Sequence, residues 1–495
     1  MAFMFGTNRD QETFLPPVLN DYIGPNDPVR VYDAFIDALD FNELGIPLVP
    51  KAGAESYEPR RMLKLLVYGP SYGDRSSRRL ERACRHNLSY MWLMNGLQPT
   101  YRTIIRFRSD HKDAITKVLK QCVRMCVTMD LVEGNTLFID GSKLRANAAL
   151  DHNLSREDIE KELVKVERHI DEMMAEAERR DRSENDLPSL VETKNKIADR
   201  QQLADWMKDC LTRIKDEKRP SINRVDPDSV TAKSRQGTHA VHNVQCVTDD
   251  QHGLIVHAES VGEPNDNGQL VPQLKAAAEN VGHCPENVGV DAGYFNPAET
   301  NDIDKNITVV MPSPQQAHDE RNPDKTPPGP FDKSHFQYDK EQDIYICPEG
   351  KTLKHEGVDS TRPHRHAYRA KAGECNQCPH HGVCTSGHSG RKVIRSDYED
   401  IIRRQESVYA SERGQVIYRR RKQRAEHPFG HWKRNLGAGQ LLLRGREKVN
   451  AEVSVLATCF NLARMITIVG ATQLIAQFRG GHSNQFPGFE QRAAL

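Results

Sequence analysis

The chain has 495 residues, too many for one hydrophobic core, and this length points to two to four domains. With 28% charged and 37% hydrophobic residues it has the composition of a soluble globular protein, which excludes fibrous and low-complexity classes. Its 69 Lys+Arg balance 69 Asp+Glu, so no net charge announces a polyanionic partner.

The opening residues MAFMFGTNRDQETF carry neither the basic start nor the long apolar run of a secretory signal. The first cation-rich block runs from Lys51 to Arg124, with 16 Lys+Arg against 6 Asp+Glu. It reads as short helices. Met62, Leu65 and Leu66 form one apolar stripe, a polar turn follows at Gly73-Asp74, and Leu80, Ala83 and Cys84 share a face after Ser76. Thr100 is expected to cap a further helix that carries Arg102, Arg106 and Arg108. Ile115, Val118, Leu119, Cys122, Cys126 and Met129 then recur at helical spacing. Compact basic helices of this kind suit a helix-turn-helix-like module.

TLFID, Thr136 to Asp140, is a short apolar run ending in a carboxylate and a glycine, the pattern of a buried strand. From Asp151 to Pro220 the balance turns slightly acidic, 15 Lys+Arg against 19 Asp+Glu. There Ile159, Leu163, Val166, Ile170 and Met173 alternate in steps of four and three, the seam of a coiled coil. After a polar break at Asp181 to Pro188, Leu203, Met207, Leu211 and Ile214 continue the helical pattern, so an αα-hairpin is expected. AVHNVQCVTDD, a DQHG turn and LIVHAES read as a β-hairpin, followed by a helix over about 269–280. NVGVDAG is a strand ending at Asp291, and ITVVMP is another. A Pro-rich stretch from Ser313 to Asp332 marks a boundary. The last part, from about Asp397, is helical.

Seven of the eleven cysteines are scattered (Cys84, Cys122, Cys126, Cys210, Cys246, Cys284, Cys459) and read as single buried thiols. Nothing suggests a disulfide framework in a chain of this size. Cys347, Cys375, Cys378 and Cys384 fall in one short region, the last three within ECNQCPHHGVC. A CxxC pair with two further cysteines fits a four-coordinate structural Zn²⁺ site, in which His380 or His381 could replace one thiolate. The segment around them is too polar to promise a core of its own. The stretch Met465 to Ala476 is too short and interrupted to span a bilayer. A cytoplasmic protein with no membrane contact is expected.

Asp140 and Asp291 are carboxylates at strand ends, where hard oxygen ligands can share divalent cations. A lone strand-end Asp more often caps a turn, so a third acid matters. The second basic block, Arg391 to Lys448, has 16 Lys+Arg against 7 Asp+Glu and supplies Glu426. Arg419, Lys422 and Lys433 stand seven and four residues before it and seven after, on one helical face. Two basic blocks flanking an acidic spacer are the footprint of a double-stranded DNA binder. Pro428 disfavours regular helix at His427.

These residues bring the chain to a family. It resembles the DDE transposases of bacterial insertion sequences through SYEPRRMLKLLVYG, RSSRRLERACRHNL, FIDGSKLRANA, DPDSVTAKSRQGTHAVHNVQCVTD, VGVDAGYF and AEHPFGHWKRN. Members carry a Tyr, Arg, Glu, Lys signature around the last acid. Here Tyr418, Glu426 and Lys433 take those roles, with Lys422 at the Arg position and Tyr418 one residue further away than usual. The resemblance implies an α/β fold with an RNase H-like mixed-sheet catalytic core in 131–312 and 390–480. It also implies an all-α DNA-binding domain in 1–130, a helical coiled-coil insertion in 150–220, a Cys-rich zinc ribbon-like insertion in 313–390 and a disordered tail in 481–495. It further implies strand cleavage and transfer with Mg²⁺ or Mn²⁺ held by Asp140, Asp291 and Glu426. Tyr418, Arg419, Lys422, Lys433, Arg102 and Arg106 would contact DNA, and the active complex would be a homodimer. The alternatives are an RNase H-like nuclease that cuts without joining and a non-catalytic DNA-binding protein derived from a transposase.

Overall fold

The computed structural model describes residues 18–49, 56–181, 187–234, 237–321, 329–360 and 362–480; the expected tail beyond 480 lies outside them. The N-terminal part is all helix: α1 (Pro28–Asp37), α2 (Phe41–Leu44), α3 (Pro59–Ser71), α4 (Ser77–His86), α5 (Leu88–Leu93), α6 (Tyr101–Asp110) and α7 (Lys112–Thr128). The expected caps form. Ser76 accepts the Arg79 N–H at α4 and Thr100 accepts the Thr103 N–H at α6. Leu80 and Cys84 are buried, as their shared face requires.

The central sheet is built from β1 (Thr136–Arg145), β4 (Val230–Ser234), β5 (Gly237–Asp249), β6 (Ile255–Val261), β7 (Asn287–Gly289) and β8 (Thr308–Val310). Its path is β4-β5-β1-β7-β8, with β6 also paired to β5. β1 is antiparallel to β5 and parallel to β7, and β7 is parallel to β8. β1 runs five residues past Asp140, because β5 pairs with it from Leu137 to Arg145. Helix α10 (Leu270–Val281) packs beside β5 and β6, followed by α11 (Pro297–Asn301) and, within the Pro-rich stretch, α12 (Pro314–Arg321).

Between β1 and β4 come β2 (Asn153–Ser155), α8 (Arg156–Asp181), α9 (Leu187–Asp216) and β3 (Ser221–Asn223). The two long helices close a core of their own around Ile159, Val166, Ile170, Met207 and Ile214, with Leu163, Met173, Leu203 and Leu211 against it. The heptad reading of this hairpin matches those buried positions.

A second, antiparallel sheet has the order β13-β12-β11-β10-β9, from β9 (Gln337–Asp339), β10 (Ile344–Ile346), β11 (Thr352–Asp359), β12 (Arg362–Ala370) and β13 (Lys392–Ser396). Contrary to its polar appearance, this segment has a small core of Phe336, Tyr345, Leu353, Tyr368, Ala370 and Val393. Single inward-facing positions such as Leu353, Tyr368 and Val393 provide much of it, and only Ile344-Tyr345-Ile346 forms a short apolar run.

The chain ends in α13 (Glu399–Ala410), α14 (Glu412–Arg434), α15 (Arg446–Val469) and α16 (Ala471–Gly480). Helix α14 continues through Pro428, which is buried. Helix α15 is long and apolar enough to cross a membrane by length and composition, but most of its apolar window is buried against α3, α7 and β6. Its Asn461 donates to the Ile255 carbonyl and accepts the Ile255 N–H, and Asn450 accepts the Ser260 N–H. These side chains satisfy backbone groups on the edge of β6 that β5 does not pair.

The expected boundary near residue 130 is no break in the core. Residues from Ile23 to Val132 share one apolar cluster with the sheet and with α15 and α16. Buried Arg75 ties this part to the C-terminal part by donating to the Gly437 and Gln440 carbonyls and pairing with Glu452 at 2.7 Å. A fragment spanning 50–130 would expose the faces of α3 and α7 that α15 covers. It is therefore expected to lack a cooperative thermal transition by circular dichroism, and a sharp melt would refute this.

Candidate active site

The register of β1 and β7 sets the centre. Phe138 lies opposite Gly289 in a parallel pair, so residues two further on in each chain, Asp140 and Asp291, stand side by side on the same face. The approach is close at Gly289, where a Cβ would fall 2.7 Å from the Phe138 ring. Beyond β7 the chain turns, and Asp291 accepts the Gly293 N–H at 2.7 Å.

Helix α14 lies over β1, β7 and β8. Its buried positions Ile417, Arg421, Ala425, Phe429 and Trp432 recur every three or four residues. One of these is a cation. Arg421 Nη2 lies 3.3 Å from Asp140 Oδ1 and 3.2 Å from Asp291 Oδ2, with the Arg421 side chain 7% exposed. Two carboxylates 151 residues apart in sequence thus flank one nitrogen. The Arg421 Nε is buried without a partner.

Burial pushes the Asp140 carboxyl up to about 7; the Arg421 charge opposes this, while Asp291, Glu426 and Asp266 add to it. Four acids therefore share one field, and a single guanidinium does not neutralise them. Glu426 follows buried Ala425 and is exposed on α14. Two turns further, Lys433 Nζ donates to Ser142 Oγ at 2.9 Å, and partial burial lowers its pKa against the pull of Asp140. Tyr418 is half-buried, edge-on to Tyr409, with the Arg421 guanidinium 5.7 Å from its ring. Arg419 and Lys422 are exposed, as are Arg102 and Arg106 on α6. Arg102 leans on Tyr101, its Nε donating to the hydroxyl at 3.2 Å.

Sequence reasoning placed Lys422 at the Arg position, but the buried cation is its neighbour Arg421. The available signal was the apolar face of α14. Residue 421 continues the Ile417, Ala425 series, whereas 422 falls on the solvent side. Sequence reasoning also missed Asp266, which sits in a Gly- and Pro-containing turn.

The four clustered cysteines line a single cavity of ≈ 30 Å³ in the second sheet, together with His380 and His381. Cys347 follows β10 and the other three lie between β12 and β13. Backbone N–H groups of Lys351 and Arg391 point at the Cys347 and Cys375 sulfurs, at 3.3 and 3.4 Å. The buried His381 Nε2 has no partner. Among the described residues, no group of three or more His, Cys, Asp or Glu side chains is gathered closely enough to hold an ion as it stands.

Two family models match the sequence. The Transposase DDE domain covers residues 346–466, which contain the four cysteines and Glu426, and a Transposase domain (DUF772) covers residues 17–110, most of the N-terminal helices. Asp140 and Asp291 lie between the two matched segments. No curated protein and no solved structure matches the chain. A transposase domain matched at each end supports a DDE transposase of an insertion element.

Proposed function

We propose that the chain cleaves DNA strands at the ends of an insertion element and transfers them to target DNA, using divalent cations held by Asp140, Asp291 and Glu426. The observation that carries this reading is the meeting of Asp140 and Asp291 on one guanidinium beneath α14. The sheet order adds support: an antiparallel β6-β5-β1 meander continued by parallel β7 and β8, with one acid within β1 and one just after β7, is the arrangement expected of an RNase H-like core.

The donor set suits Mg²⁺ or Mn²⁺, which take carboxylate oxygens, and the excess negative charge at Asp140 is what such an ion would neutralise. When bound, a pair of ions would activate water or a 3′-hydroxyl and stabilise the departing oxygen. The chain's own cations would do the rest. Lys433, held beside Asp140 through Ser142, would steady a flanking phosphate, and exposed Arg419 and Lys422 would extend that contact along α14. Tyr418 would support Arg421. Arg102 and Arg106, exposed on α6, would hold duplex DNA at a distance from the acids. A homodimer would bring two element ends together.

The test uses full-length protein, Mg²⁺ and a plasmid carrying the DNA that flanks the gene. Cleavage at the ends followed by joining is expected. Cutting without joining would make the protein a nuclease, and binding alone would make it a regulator; either overturns the proposal.

The same reasoning assigns a structural Zn²⁺ to Cys347, Cys375, Cys378 and Cys384, since thiolates around a metal-sized cavity with N–H···S support fit a tetrahedral site. Protein purified without chelator is expected to hold about one zinc per chain, because four protein ligands complete one site. Cys378→Ser should release it and loosen β9–β13 while leaving Mn²⁺ binding at Asp140 intact. An ordered second sheet in zinc-free protein would show that the small Tyr345–Tyr368 core suffices.

A further inference from the structure

Asp266 lies between β6 and α10 in the turn GEPNDNG. Its Oδ1 accepts two hydrogen bonds from β5, from Gln245 Nε2 at 2.7 Å and from Asn243 Nδ2 at 3.1 Å. Both donors are completely buried. The Gln245 amide has a fixed sense, because its Oε1 accepts the hydroxyl of buried Tyr294 and its NH₂ is thereby left to face Asp266. Among the described residues no hydrogen bond reaches Asp266 Oδ2. The glycines that follow Asp140 and Asp291 both border this carboxylate. A Cβ on Gly141 would fall 2.3 Å from Oδ1, and one on Gly293 would fall 3.5 Å from Oδ2. Asp266 thus fills the space between the FIDG segment of β1 and the DAG turn, and its charge reaches Asp140.

A structural role does not call for that charge. Asparagine at 266 would accept the same two amide bonds through Oδ1 without adding a like charge beside Asp140 and Asp291, which destabilises the metal-free site. A carboxylate there, held rigidly by one oxygen with the other free, suits a cation ligand. We propose that Asp266 is a fourth carboxylate of the divalent-cation site, offering Oδ2 alongside Asp140 and Asp291. This rests on the reading that those two acids hold metal.

The experiment titrates full-length, metal-free protein with Mn²⁺ and measures the free ion by electron paramagnetic resonance. Asp266→Asn is expected to weaken binding about tenfold or more, with the melting temperature in EDTA no lower than wild type and duplex DNA binding in EDTA unchanged. Wild-type Mn²⁺ affinity in Asp266→Asn overturns the proposal if Asp140→Asn binds weakly. Wild-type affinity in both variants overturns the underlying metal site as well. A measurement on the unmodified chain guards against a folding defect: Fe²⁺ with ascorbate should cut the backbone near residues 140, 291 and 263–267, with Mg²⁺ competing. Cuts near 140 and 291 that spare 263–267 would equally overturn it.

Discussion

Replacing Asp140 by Asn should abolish strand cleavage and, in metal-free protein at pH 8, raise the melting temperature. The two effects share one cause. Burial and three neighbouring acids push the Asp140 carboxyl up to about 7 in spite of Arg421. A carboxyl whose folded pKa lies above its unfolded value of 3.8 binds its proton more tightly in the native state. Stability therefore declines as pH rises from about 4 to about 7, and the full penalty is present above that window. A shift of this size corresponds to at most about 4 kcal/mol at 1.36 kcal/mol per pH unit. Asn cannot ionise, so the variant escapes the penalty. It also loses an ion pair with Arg421, but the upward direction of the shift means that burial and repulsion outweigh that attraction. The gain should shrink to nothing near pH 4, where the wild-type carboxyl is protonated too. Cleavage should fall by at least about a thousandfold, since several kcal/mol of transition-state stabilisation depend on the bound cation. Differential scanning calorimetry in EDTA at pH 4 and pH 8 checks the first effect and a plasmid nicking assay the second. An Asp140→Asn protein that melts no higher than wild type at pH 8 would mean that Arg421 fully compensates the acid.

The parts that sequence made legible are those with a strong local period or a sharp local contrast. The heptad seam of α8 and α9 is such a pattern, and its predicted positions all lie in or against the hairpin's core. The apolar runs before Asp140 and Asp291 are another, because a buried strand must be apolar on both faces. Pairing is less visible. Nothing in FIDGSKLR tells that β1 continues past Asp140, since Ser142, Lys143 and Arg145 are polar and their strand geometry comes from β5. Nor can composition show that the N-terminal helices share their core with α15, a contact between residues more than three hundred positions apart. The site was half legible for the same reason. The acids stood out as carboxylates after apolar strands. Arg421 was hidden in a run of four cations, RRRK, where only the helical phase set by Ile417 and Ala425 separates the buried one from the exposed ones. Asp266 was hidden because it stands in a turn and its partners Asn243 and Gln245 come from β5, more than twenty residues away.

The phase argument leads to the second large effect, at Arg421. Its guanidinium is nearly buried and meets Asp140 and Asp291 together. Arg421→Ala would leave those carboxylates facing each other with no interposed cation, and removing one partner of a buried ion pair typically destabilises by about 3–5 kcal/mol. If Arg421 acts through charge, the loss must depend on the acids. In an Asp140→Asn background the same substitution should be milder by about 1–3 kcal/mol, the coupling usual for residues in one network. Urea unfolding of the four proteins in EDTA gives this coupling directly. A coupling near zero would reduce Arg421 to a packing residue of α14. A second consequence has the opposite sign. With the guanidinium gone, a divalent cation is the remaining way to neutralise the acids, so Mn²⁺ should stabilise Arg421→Ala more than wild type at the same concentration. Equal stabilisation of both would mean that the guanidinium and the ion do not compete for the same carboxylates, and that Arg421 would keep its place between Asp140 and Asp291 with metal bound.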